Sequence, residues 1–159
     1  MRDNYVKIPF LQQREIEIKV LAPLIRAFSA EFGEDRTREV VRRVMRGLAL
    51  EAGRAAAAEF GSGLDSFRKN CVGAWQEGGA LASETREDSD DTLRFDVTRC
   101  DFANVYRELG FGDIGALVSC ERDVPFTEGF DPAIEFTRSK TLMAGDDRCD
   151  FCYKVKKQQ

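Results

Sequence analysis

Apolar and polar positions divide the chain into two parts. From about Leu11 to Phe32, Ile16, Val20, Leu24, Ala27 and Phe28 fall on one stripe of a helix, which Gly33 stops. Pro23 lies inside this stretch and predicts a kink or break there. A second helix is predicted from about Thr37 to Phe60. Val40, Val41, Val44, Leu48 and Ala52 form its apolar face, and Gly61-Ser62-Gly63 ends it. Asp65 to about Gly78 reads as a third helix, turning Phe67, Cys71, Val72 and Trp75 inward.

The period then changes. Leu93, Phe95 and Val97 alternate with Arg94, Asp96 and Thr98, the pattern of a half-buried strand. With Ser83 to Asp88 it predicts a hairpin around the acidic turn Asp88 to Asp91. Asp101 to Leu109 reads as a short helix, and Asp113 begins another that runs through Cys120. Ala133 to Phe136 and Cys149 to Val155 are strand-like. The expectation is a single α+β domain over residues 1–159. Its N-terminal helices (11–80) pack on a mostly antiparallel C-terminal sheet with short helices (81–159).

Composition narrows the chemistry. There is no histidine, which excludes Ser-His-Asp and Cys-His catalysis within the chain and every His-containing metal site. Acid–base work near neutral pH then falls to Asp, Glu, Cys, Lys or Tyr with shifted pKa values. The net charge of −4 gives no global support for nucleic-acid binding. No apolar run approaches the ~20 residues of a membrane span. Met1 to Phe10 has no signal-like apolar core, so a cytoplasmic location is expected. Five cysteines, an odd number, argue for reduced thiols rather than a disulfide framework.

The last sixty residues hold an ordered series. It runs through Thr98-Arg99-Cys100, Tyr106 to Gly110, Ser119-Cys120-Glu121-Arg122-Asp123 and Glu128 to Pro132. It ends with Thr137 to Gly145 and Cys149-Asp150-Phe151. In this series the chain resembles the L-2-amino-thiazoline-4-carboxylic acid hydrolases, from about Val97 to Tyr153. One departure is Cys152, where the family tends to carry a basic residue. The Gly145 to Phe151 ending is also faintly similar to small-molecule-binding domains related to the bacteriochlorophyll vinyl reductase.

The resemblance implies a hydrolase acting on C–N bonds of a small cyclic amidine or related heterocycle that carries a carboxylate. Cys120 is then the candidate nucleophile or key polar group, and Asp123 the candidate acid–base residue. The alternative for this pair is a buried core cysteine with Asp123 capping a turn. Arg138 suits a carboxylate clamp, because a guanidinium grips both oxygens; its alternative is an ion pair with Asp123 or Asp150. Thr141 and Asp150 would orient these groups, and Cys100 and Cys149 complete the candidate substrate-binding set.

No cofactor is expected. Cys149 and Cys152 form a C-x-x-C, so thiolate-bound zinc stays as a minor alternative. A strand would send those two sulfurs to opposite faces, and no second close pair exists. The partner implied is a small-molecule substrate, with no nucleic acid and no membrane. The exposed apolar helix faces are compatible with a homo-oligomer. A non-catalytic ligand-binding or sensor module on a related scaffold is the other functional reading.

Overall fold

The computed structural model describes residues 8–157. Most of the N-terminal stretch read above as lacking a signal-like core lies outside them. Two long helices come first, α1 (Phe10–Phe32) and α2 (Glu34–Phe60), joined at Gly33. Gly33 has φ 90°, a backbone region that favours glycine. The third predicted helix is a composite: α3 (Leu64–Ser66), a π-helical stretch over Phe67–Val72, and α4 (Gly73–Gln76). The hairpin is β1 (Leu81–Asp88) and β2 (Thr92–Cys100). Two short helices, α5 (Asp101–Glu108) and α6 (Gly112–Val118), lead into a 3-10 turn over Cys120–Arg122. Helix α7 (Asp123–Phe130), strand β3 (Ile134–Thr137) and strand β4 (Cys149–Val155) complete the fold.

The architecture is α+β, with N-terminal helices followed by an antiparallel sheet in the order β1-β2-β4-β3. The alternation along β2 does what its pattern predicts. Leu93, Phe95 and Val97 are buried, while Arg94 and Thr98 face solvent. Register places Phe95 opposite Phe151 and Phe136 opposite Tyr153. Their rings stack on one face of the sheet at centroid distances of 5.1 and 4.7 Å. Phe67 of the π stretch closes over this layer, 4.8 Å from Tyr153 and 5.2 Å from Phe130.

The long helices depart from the sequence reading in two respects. Helix α1 runs through Pro23 without a break. Pro23 lies on the exposed side, where water can satisfy the carbonyl that loses its intrahelical partner. The apolar stripes are also not the buried ones. Ile16, Val20, Leu24 and Phe28 of α1, and Val40, Val44 and Leu48 of α2, stay 43–60% exposed. The inward faces carry Arg14, Ile18, Ala22 and Ile25 on α1, and Thr37, Met45, Ala49 and Gly53 on α2. Ala22, Ala49 and Gly53 are small and let a neighbouring helix approach closely.

That approach is tightest where α2 crosses α7. A Cβ added to Gly53 would strike the Phe126 carbonyl oxygen and come within 2.7 Å of the Phe130 nitrogen. A Cβ on Gly129 would strike the Leu50 carbonyl oxygen and lie 2.9 Å from its carbon. The two backbones therefore meet through glycine on both sides. Ion pairs flank the crossing, Arg46 to Glu128 at 2.6 Å, and Arg42 to Glu121 in two hydrogen bonds of 2.6 and 3.1 Å.

Among the described residues, buried apolar side chains form two clusters. One lies under the sheet, with Phe67, Phe95, Phe130, Ile134 and Tyr153. The other joins α1, α5 and α6, with Ile18, Ala22, Tyr106, Leu117 and Met143. Cys100 packs against both.

Candidate active site

A cavity of about 190 Å³ lies at the seam between the two clusters. Its apolar walls include the rings of Phe10, Trp75, Phe102, Phe126 and Phe151. Its polar groups are few: Arg14 from α1, Ser119, Cys120 and Arg122 from the turn after α6, Asp123 from α7, and Arg138 and Thr141 from the segment after β3. An apolar chamber with a small convergent set of polar groups is the usual form of a small-molecule site.

Asp123 opens α7, where Pro125 is tolerated because the first turn needs no donor there. Thr127 Oγ1 donates to the Asp123 backbone carbonyl at 2.8 Å, which fixes that turn. The Asp123 carboxylate pairs with Arg138. Arg138 is engaged on all sides. One nitrogen serves Asp123, another donates to the Cys120 carbonyl at 3.1 Å, and the guanidinium lies 5.3 Å from the Phe151 ring centroid and 5.7 Å from that of Phe136. Burial works against the Arg138 charge, but Asp123 and Cys120 outweigh it and raise its pKa.

Burial pushes the Asp123 carboxyl up to about 6, even though Arg138 pulls it down. It also pushes the Cys120 thiol up to about 12, and the Asp123 charge adds to this. Cys120 is therefore a neutral thiol at pH 7. Its sulfur lies 3.6 Å from Thr141 Oγ1. Cys149 Sγ is 3.8 Å from the same hydroxyl and accepts from the Leu142 amide at 3.2 Å. Burial raises the Cys100 thiol to about 11 and raises Cys149 as well. Among the described residues, no group of three or more Cys, Asp or Glu side chains is arranged to hold a metal ion.

A second charged group faces the cavity from α1. Arg14 pairs with Glu17, and its guanidinium lies 4.6 Å from the centroid of the Phe10 ring. Arg122 reaches the same Glu17 oxygen only at 3.9 Å. Burial, and then the nearby Arg14 charge, hold the Arg122 pKa below its usual value.

The family model of the L-2-amino-thiazoline-4-carboxylic acid hydrolases matches residues 13–153 of the chain. The chain belongs to that family. Among solved structures, the chain aligns with the phenol-responsive sensory domain of the transcription activator PoxR, determined with phenol. The TM-score is 0.44 and the identity 15%, covering 85% of this chain and 72% of that one. No curated protein matches the sequence.

The residues through which the sequence resembles this hydrolase family mostly converge. Cys100, Cys120, Asp123, Arg138, Thr141 and Cys149 all line the cavity. Asp150 does not. Its carboxylate accepts from the Ser139 amide at 2.9 Å, the Ser139 hydroxyl at 2.5 Å and the Lys140 amide at 2.6 Å. Partial burial works against its charge, but these bonds outweigh it and lower its pKa. It holds the loop that carries Arg138 and Thr141, and so supports the site from behind. Arg14 is a member of the site that the sequence reading missed. The one signal for it is register: it stands one turn before Ile18 on the buried stripe of α1.

Among the described residues, no helix is long and apolar enough to cross a membrane.

Proposed function

We propose that the protein hydrolyses a small cyclic amidine bearing a carboxylate, with Asp123 as the proton-transferring group and water as the nucleophile. The observation that carries this reading is Asp123 itself: a half-buried carboxyl in a mostly apolar cavity, paired with Arg138 and raised to about 6. A general base performs best with a pKa near the working pH. Asp123 would take a proton from water as its oxygen adds to the electron-poor amidine carbon. The resulting tetrahedral centre collapses by breaking a ring carbon–heteroatom bond, and Asp123 returns the proton to the departing heteroatom. One water is consumed and the carboxylate is regenerated.

A neutral thiol raised to about 12 does not suit the nucleophile. In this reading Cys120 and Thr141 are polar walls, and Arg138 holds Asp123 in place. The family name supports hydrolysis, and the site's polarity supports a small organic substrate.

The test is turnover of 2-amino-thiazoline-4-carboxylate by purified protein, followed across pH. The base must be ionised, so kcat/KM should climb through about pH 6 and then level. Cys120→Ser should keep most of that activity. A Cys120→Ser variant that is folded and dead would return the chemistry to the thiol. A wild type that binds the compound without consuming it would favour a sensor or binding module.

A further inference from the structure

We propose that the carboxylate of the ligand sits on Arg122, and that the ligand is a flat organic monoanion. This rests on the cavity's role as a small-molecule site, described above, but not on turnover. Two guanidinium groups, Arg14 and Arg122, share one carboxylate, that of Glu17. Arg14 takes that carboxylate, and Arg122 stays 3.9 Å away, beyond hydrogen-bond reach. Among the described residues the Arg122 guanidinium donates no hydrogen bond, although its side chain is only 17% exposed and faces the cavity. A largely buried cation without a close partner is unfavourable, and an entering anion relieves it. Arg138 offers no such vacancy, because Asp123, the Cys120 carbonyl and two aromatic faces already occupy it.

Charge across the wall agrees. Arg14, Arg122 and Arg138 face Asp123 and Glu17, leaving one positive charge in excess once Asp123 is ionised. The rest of the chamber is aromatic, with Phe10, Phe102 and Trp75 available to cover a planar ring. A ligand anchored at Arg122 would extend its ring along these faces, and its far end would approach Asp123.

Calorimetric titration with benzoate and with benzamide tests this without requiring turnover. The two probes share a ring and differ in charge. The wild type should bind benzoate at least tenfold tighter than benzamide. Arg122→Gln should abolish that preference while leaving benzamide affinity unchanged. Glu17→Gln removes the competing carboxylate and should tighten benzoate binding several-fold. The proposal fails if the wild type does not bind benzoate, if Arg122→Gln keeps the preference, or if Arg138→Lys removes it and Arg122→Gln does not. A protein that passes these tests yet leaves every cyclic amidine intact keeps this anion site and loses the hydrolase reading.

A separate observation concerns the outer face of α1 and α2. Ile16, Val20, Leu24, Phe28 and Phe32 recur at every fourth position of α1, and Val40, Val44 and Leu48 do the same on α2. These side chains are 43–61% exposed, and several of them line an apolar groove between the two helices. Eight large apolar side chains at about half exposure approach the roughly 800 Å² that one partner contributes to a standard interface. The geometry points to a second copy of this chain as the occupant. Two such helix pairs, face to face about a twofold axis, would bury both patches as a four-helix arrangement.

Sedimentation equilibrium at micromolar protein should return a dimer. Val20→Glu and Val44→Glu, on exposed side chains, should each return a folded monomer with unchanged far-ultraviolet circular dichroism. A monomeric wild type overturns the proposal, as does a dimer that survives both substitutions. A monomer that instead binds phosphatidylcholine vesicles would assign the face to a lipid surface, and that too overturns it.

Discussion

Asp123→Asn is expected to lower kcat/KM by about 10² to 10⁴-fold, the range that a positioned acid–base group contributes. The amide keeps the shape of the side chain but can no longer take up a proton. The loss should not come from unfolding. Asp123 titrates at about 6 in the fold, against about 3.9 in an unfolded chain. A raised carboxyl favours its neutral form in the native state. Its contribution to stability is therefore complete below about pH 4 and is lost as pH rises through 6. The difference corresponds to about 3 kcal/mol. Asparagine is neutral at every pH and escapes that loss. At pH 8 the variant should melt no lower than the wild type, and the gap between them should close as pH falls toward 4. Thermal melts at pH 4, 6 and 8, run beside the rate assay, check both halves. Retained turnover would remove Asp123 from the chemistry. A variant that melts far below the wild type at pH 8 would make the Asp123–Arg138 pair a structural bond instead.

Gly53→Val should destabilise the fold by about 3 kcal/mol or more, beyond the usual 1 to 3 for added bulk in a packed interior. The reason is what the new atoms would meet. Around Gly53 they would strike the Phe126 carbonyl and the Phe130 amide, which are backbone and cannot rotate away. Gly129→Ala meets the Leu50 backbone in the same way and should behave alike. Gly47 is the control. It lies in the same helix, and a Cβ added there would meet nothing within 4 Å, so Gly47→Ala should stabilise slightly through helix propensity. Denaturant midpoints of the three variants provide the comparison. A Gly53→Val protein as stable as Gly47→Ala would mean that α2 and α7 do not cross so closely. Because α7 carries Asp123 and Phe126 into the cavity, surviving Gly53→Val protein should also bind ligand poorly.

Much of the fold can be read from the chain where one physical signal dominates. The alternation in β2 has a single explanation, a sheet with one covered face, and the structure follows it. The hairpin around Asp88 to Asp91 is equally local. Helix α7 is not among the elements predicted from the sequence, and it contains Pro125 and Gly129, residue types that disfavour helix interiors. Pro125 falls in the first turn, where it does no harm, and Gly129 is needed by another helix rather than by a turn. The faces of α1 and α2 mislead for a related reason. Large apolar residues advertise a face, but the inward positions went to Ala22, Ala49 and Gly53 because closeness mattered more than bulk.

The site is legible as a set and less so as roles. The ordered series brings Cys100, Cys120, Asp123, Arg138, Thr141 and Cys149 to one cavity from well-separated positions of the chain. The sequence carries no information on which thiol is dry. That depends on burial, which pushes the Cys120 thiol up and, under the proposed function, leaves the proton chemistry to Asp123. Asp150 joins the set in the sequence as the middle of the Cys149-Asp150-Phe151 triplet, yet strand geometry turns successive side chains to opposite faces. Arg14 comes from the far end of the chain, where only tertiary packing could bring it in.

The cavity's position at the seam has a consequence for how the protein keeps its shape. The cluster under the sheet and the cluster of α1, α5 and α6 meet around the cavity. A guest there acts as a removable piece of interior, touching both halves at once. Occupancy should therefore weld them: at a hundred times its dissociation constant, a ligand adds about 2.7 kcal/mol to the folded state. Melting temperature becomes a sensor of what the pocket accepts, so a library of small anions can be screened by heat alone before any reaction is known.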